Sequence, residues 1–185
     1  MCGITGIINF SSTDINDHLN IKKMLKKLES RGPDAKKIWN SEDKKIFLGH
    51  TRLSIIDPIE TSNQPFEDFQ NKLMITYNGE IYNYKKIKNK LINYGYKFKT
   101  NSDTEVILKL YNHYGEQMLD HLIGMFSFCI YDQASNIFFI ARDNYGIKPL
   151  YYYSDIKKFI FSSQVRSLIE CDYIKKDISP VATCS

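Results

Sequence analysis

The stretch CGITGIINF, from Cys2 to Phe10, is apolar, rich in β-branched residues and punctuated by glycine. It reads as an N-terminal β-strand. Downstream, Leu19, Ile21, Met24, Leu25 and Leu28 recur at helical spacing, which predicts a helix over 17–28. That helix stops near Ser30, before RGPD (Arg31–Asp34), which reads as a turn. Short strands are expected over 36–39 and 46–49, around a polar hairpin. RLSIID (Arg52–Asp57) reads as a strand or an extended loop ended by Pro58. Residues 63–72 form a polar loop containing Pro65.

The second half follows the same logic. A strand over 73–77 runs into Asn78-Gly79-Glu80. Helices are expected over 84–94 and 104–114, with Asp103 as the N-cap of the latter. Four strands follow, over 125–132, 136–143, 150–154 and 159–162, and then a short helix over 165–170. The order is strand, helix, strands, helices, strands. Two sheets flanked by helices would bury it, which predicts an α+β layered sandwich. The chain has 185 residues, enough for one well-filled core but not for two comfortable ones. Residues 1–178 are assigned to one domain, and 179–185 read as the start of a further segment.

Composition narrows the function classes. Net charge is +4, too mild to argue for nucleic acid. No apolar run is long enough to span a membrane, and no basic n-region precedes an apolar stretch. The expected compartment is the cytoplasm. Among 25 basic residues the arginines are Arg31, Arg52, Arg142 and Arg166. Each is worth inspecting, because a guanidinium offers a bidentate fork that an ammonium cannot replace. The cysteines Cys2, Cys129, Cys171 and Cys184 match no zinc or disulfide spacing. Cys129 lies in an apolar run and is expected to be buried.

Cys2 has a different context. A small residue after Met1 favours removal of the initiator methionine. Cys2 would then carry a thiol with a pKa of about 8.5 beside an α-amine of about 7.7–8.0. One residue could thus supply both nucleophile and general base. A thiol attacking an amide needs an oxyanion hole. Asn78-Gly79 can supply a side-chain amide and a backbone N–H, although Asn-Gly taken alone is the commonest hairpin-turn signal.

Seven motifs occur together and in order: MCGITG (Met1–Gly6), RGPD (Arg31–Asp34), HTRLSIID (His50–Asp57), YNGEIYN (Tyr77–Asn83), SDTE (Ser102–Glu105), GMFSF (Gly124–Phe128) and ARDNYGIKPLY (Ala141–Tyr151). This set resembles the N-terminal glutaminase domain of glutamine-hydrolysing asparagine synthetases, which are class II glutamine amidotransferases. The resemblance implies the N-terminal-nucleophile (Ntn) hydrolase fold, a four-layer αββα sandwich of two mainly antiparallel sheets. It implies glutamine hydrolysis to glutamate and ammonia through a γ-glutamyl thioester on Cys2, with Asn78 and Gly79 as the oxyanion pair. Arg52 would grip the α-carboxylate of glutamine and Asp103 its α-ammonium. Glu80 would add a second acidic contact, and Ile55 and Ile56 would touch glutamine through main-chain atoms. Arg31 would either tie down its turn or take part near the nucleophile.

No cofactor or metal is implied for this half. ATP and Mg belong to an ATP-dependent synthetase domain, C-terminal or separate, whose Ser-Gly-Gly-x-Asp-Ser phosphate loop does not occur in these residues. A homodimer is a further expectation. The ammonia acceptor, aspartate or another carboxylate or sugar, stays open. Glucosamine-6-phosphate synthase and phosphoribosyl amidotransferase modules are the nearest rivals, and RLSIID favours the asparagine synthetase branch. A reading from another class is a non-catalytic docking or regulatory module. The sequence departs from the resembled pattern at Asn101, where Gly is frequent, and at Gln164, where Glu is usual. Asn101 is expected to tolerate a left-handed backbone there.

Overall fold

The computed structural model describes residues 1–176; the expected further segment at 179–185 lies outside them. Among the described residues, nine strands form two antiparallel sheets. The first sheet has the order β2-β3-β1-β9-β8, from β1 (Gly3–Asn9), β2 (Ala35–Asn40), β3 (Ile46–Arg52), β8 (Tyr151–Ser154) and β9 (Lys158–Ser162). The second has the order β4-β5-β6-β7, from β4 (Phe66–Asp68), β5 (Leu73–Ile81), β6 (Gly124–Asp132) and β7 (Ile137–Arg142).

Three apolar layers hold the sandwich together. Ile4, Ile8, Leu48, Met74, Cys129 and Phe161 pack between the sheets. Ile21 and Met24 of α1 (Asp17–Lys26) and Leu168 of α4 (Val165–Leu168) cover the outer face of the first sheet. Ile87 and Leu91 of α2 (Tyr84–Asn93), with Val106 and Leu110 of α3 (Asp103–Tyr114), cover the outer face of the second. The layers are therefore αββα, as expected. The alternation of β5 sets the geometry: Ile75, Tyr77 and Ile81 face the helices, while Met74 faces the other sheet. Cys129 is fully buried, and burial pushes its thiol far up.

Two buried ion pairs pin segments to this frame. Lys109 on α3 holds Asp68 on β4 at 2.6 Å, and Lys158 on β9 holds Asp17 on α1 at 2.8 Å. Removing one partner of such a pair strands a buried charge and costs about 3–5 kcal/mol.

Four expectations need correction. The polar loop over 63–72 contains β4, whose three residues carry too little pattern to be read as a strand. The strand expected over 73–77 does not stop before Asn78-Gly79: β5 runs straight through it, paired with β6 from Leu73↔Asp132 to Ile81↔Gly124. The N-cap of α3 is Ser102, whose hydroxyl accepts the Glu105 N–H, so Asp103 is already the first helical residue. Ser102-x-x-Glu105 is a capping-box pattern, but Glu105 reaches back to the N–H groups of Lys99 and Thr100. Asn101 does not adopt a left-handed backbone; Asp57 does, at φ 51°.

Candidate active site

Register places Cys2. Gly3 pairs with Thr51, so Cys2 lies beside the end of β3, where Arg52 and Leu53 leave the sheet. The residue after Cys2 must be small, because a Cβ on Gly3 would sit 2.6 Å from Thr51 Oγ1 and 2.8 Å from Leu28 Cβ. The Leu53 N–H donates to Cys2 Sγ at 3.4 Å, and Arg31 Nε donates to the Cys2 carbonyl at 2.9 Å. Arg31 therefore holds the backbone at Cys2, which gives the RGPD turn a concrete purpose. Asp34 of the same turn accepts the Ser54 N–H at 2.6 Å and steadies the chain leaving β3. Burial pushes the Cys2 thiol up; the Leu53 N–H, the chain's terminal ammonium and Arg52 pull it back.

One edge of β5 is only partly covered. β4 covers β5 only from Leu73 to Ile75. Beyond that, the Tyr77 N–H is taken by Gln64 Oε1 at 2.6 Å and the Ile81 N–H by Asp103 Oδ2 at 3.2 Å. Strand N–H groups alternate in direction, so the Gly79 N–H points to this same edge, between the two occupied positions. A Cβ on Gly79 would lie 2.4 Å from Met125 O, so only glycine lets β6 approach here. Asn78, one residue earlier, is 1% exposed, and its Nδ2 has no hydrogen-bond partner among the described residues. A buried donor left unpaired costs about 1–3 kcal/mol. It marks a place where a ligand acceptor would be welcome.

Cys2, Arg52, Asn78, Gly79, Glu80 and Asp103 line one cavity, together with Ile55 and Ile56. All the residues singled out for glutamine therefore share a site. Arg52 is 5% exposed and Asp103 is 4% exposed. Neither joins an ion pair among the described residues. Arg52 donates through Nη1 to Ile59 O and Asn63 Oδ1, and through Nη2 to Ile56 O and Asp57 O. All four acceptors are neutral, so its charge is solvated but not cancelled. Its fork is also engaged: a carboxylate must displace the weakest of these bonds, to Ile56 O at 3.3 Å, or approach Nε. Asp103 accepts the Tyr77 hydroxyl at 2.7 Å, and burial raises its pKa above the ordinary value of 3.8. Glu80 is exposed at the cavity rim.

Sequence reasoning missed Gln64, Tyr77, Ser102 and Thr104, which also line the cavity. Tyr77 stood inside a quoted motif, and Gln64 stood beside a flagged proline. His50, also in a motif, is fully buried, and burial pushes its pKa down to about 3. It donates through Nε2 to the Tyr77 carbonyl at 3.1 Å, so the buried ring is a neutral donor that ties β3 to β5. At Gln164, where a Glu is usual, the side chain accepts from exposed Arg166 at 2.6 Å.

The model of the glutamine amidotransferase domain matches residues 1–184. The chain belongs to this family. Two asparagine synthetases (glutamine-hydrolysing) of Bacillus subtilis are similar to this glutamine amidotransferase domain. Number 2 is 41% identical over 91% of the chain, and number 3 is 35% identical over 95%. The amidase chry2 of Gibberella zeae is 38% identical over 91%. The chain spans only 22%, 28% and 26% of the lengths of these relatives, respectively. Among solved structures, a glutamine phosphoribosylpyrophosphate amidotransferase from B. subtilis superposes with a TM-score of 0.76 at 21% identity. That match covers 92% of this chain and 43% of the other, and it shows the shared Ntn-hydrolase fold. Among the described residues no helix is long and apolar enough to cross a membrane.

Proposed function

We propose that this domain hydrolyses L-glutamine to L-glutamate and ammonia through a γ-glutamyl thioester on Cys2. One observation carries the reading. A single cavity holds a buried cation (Arg52) and a buried carboxylate (Asp103), neither in an ion pair among the described residues, a thiol, and a buried amide donor without a partner among them. An amino acid is a zwitterion, so its head group would cancel both charges. The side-chain amide would then extend toward Cys2.

The chemistry follows from the groups present. After removal of Met1, the α-amine of Cys2 takes the thiol proton. Sγ attacks the γ-carboxamide carbon, and the developing oxyanion accepts from Asn78 Nδ2 and the Gly79 N–H. Collapse breaks the C–N bond, and the proton returns to the leaving nitrogen as ammonia departs. Water then attacks the thioester and releases glutamate. We further propose that the ammonia serves an ATP-dependent synthetase domain, making asparagine or amidating a related acceptor. ATP and Mg would bind that domain.

The test uses a chain shown by mass spectrometry to start at Cys2. A glutamine-analogue electrophile such as diazo-oxo-norleucine should add once, on Cys2, and ammonia release should follow added glutamine. No label and no ammonia from the processed chain would leave a docking module as the better reading.

Head-group recognition makes two further predictions. Arg52→Lys removes the planar fork and the anchor of residues 56–63. KM for glutamine should rise roughly 10- to 100-fold, the equivalent of one or two charged hydrogen bonds. Alkylation of Cys2 by iodoacetamide should stay near the wild-type rate; an unchanged KM sinks the carboxylate assignment. Asp103→Asn keeps an acceptor for Tyr77 but discards a charge that folding must desolvate. Because the folded pKa is raised, the ionised carboxylate destabilises the fold at pH above that pKa. Asp103→Asn should therefore hold or raise the melting temperature at neutral pH while raising KM. In the parent chain KM should fall as pH climbs through the raised Asp103 pKa, and that limb should vanish in Asp103→Asn.

A further inference from the structure

One acidic residue behind the cavity lining has no part in the chemistry above, yet it connects the two ends of the cavity. The backbone carbonyl of Asp57 accepts from Arg52 Nη2 at 2.6 Å. Its Oδ2 accepts both the Asn101 N–H at 2.9 Å and the Ser62 hydroxyl at 2.7 Å. Asn101 lies two residues before Asp103, just outside the Ser102 cap of α3. Asp57 thus ties the cationic end of the cavity to the loop that presents the anionic end. Its backbone is left-handed, at φ 51°, a conformation that Asp and Asn adopt more readily than other side chains and Gly adopts freely. That turn lets the carbonyl face Arg52 while the carboxylate faces Asn101. From α2, Lys88 Nζ donates to Thr100 O at 2.8 Å and to Asn101 Oδ1 at 2.9 Å. The 100–101 segment is therefore bonded to both Asp57 and Lys88.

We propose that Asp57 is a positioning residue that sets the spacing between Arg52 and Asp103, and so selects substrates carrying an α-carboxylate and an α-ammonium together. The inference rests on the head-group reading above. A ligand bound through one charge needs no fixed spacing; a ligand bound through both does, because a displacement of about 1 Å at either end breaks a bond. Discrimination between these two ligand types is therefore what Asp57 controls.

The experiment measures binding to a Cys2→Ala chain by calorimetry, so it requires no turnover. The ligands are L-glutamine and glutaramate, which is glutamine without its α-amine. Asp57→Gly keeps the left-handed backbone and removes the carboxylate; Asp57→Asn restores an acceptor oxygen. Asp57→Gly should weaken L-glutamine at least about tenfold and glutaramate less than about threefold. Asp57→Asn should recover most of the loss. Equal weakening of both ligands would reduce Asp57 to a general support of the loop and overturn the proposal. No weakening of either ligand, or no binding of L-glutamine to the Cys2→Ala parent, would overturn it as well. If glutamine binds the Cys2→Ala parent but the Cys2 chain releases no ammonia, the hydrolysis reading fails alone.

Discussion

Replacing Cys2 by Ala should lower glutamine hydrolysis by at least about 10⁴-fold, because losing the nucleophile forfeits the whole covalent route. Binding should survive, since Arg52 and Asp103 grip the opposite end of the substrate. Cys2→Ser should fall between the two: the oxygen occupies the same place, but the α-amine is a poor match for a hydroxyl proton. Retaining Met1 should be nearly as damaging as Cys2→Ala. It turns the base into an amide nitrogen, and the thiol, already pushed up by burial, keeps its proton. The measurement is steady-state ammonia release from chains of verified N-terminus. Turnover by Cys2→Ala within tenfold of the parent would remove Cys2 from the mechanism.

The second large effect should come from Asn78. Asn78→Ala deletes the orphaned Nδ2 and should lower kcat about 10²- to 10³-fold, the usual cost of one oxyanion donor. KM should change little, because the donor acts where charge develops and not where the head group binds. The fold should tolerate the change, since that amide nitrogen has no partner among the described residues to lose. Gly79→Ala is a poor companion variant: its Cβ would press on the β6 backbone and confound chemistry with folding. Equal losses in kcat and substrate affinity for Asn78→Ala would mark it as a binding residue.

Much of this was legible in the chain. Helix α1 follows from apolar spacing, and β1 from a run rich in β-branched residues. Local signals misplaced the cap of α3 by one residue, because Asp and Ser are comparable caps and stand side by side. They also missed β4, where three residues leave no period to detect. Of the site, Cys2, Arg52, Asn78, Gly79 and Asp103 were all visible through co-ordered motifs.

Tyr77, Gln64 and Asp57 acquired meaning only in three dimensions. The Tyr77 hydroxyl meets Asp103 across 26 positions of chain, and Asp57 meets Asn101 across 44. Such contacts leave no trace in local spacing.

Cys2 shows the division most clearly. Its place behind Met1, and the reactivity open to a cysteine there once Met1 is removed, are written in the sequence. Only the tertiary structure decided what the thiol faces. β4 stops opposite Ile75, so the edge of β5 opens beyond it. Gln64 and Asp103 fill the flanking positions, and alternation leaves the Gly79 N–H turned toward the cavity. Where one strand ends against another depends on packing between distant segments, and that is settled only when the sheets come together.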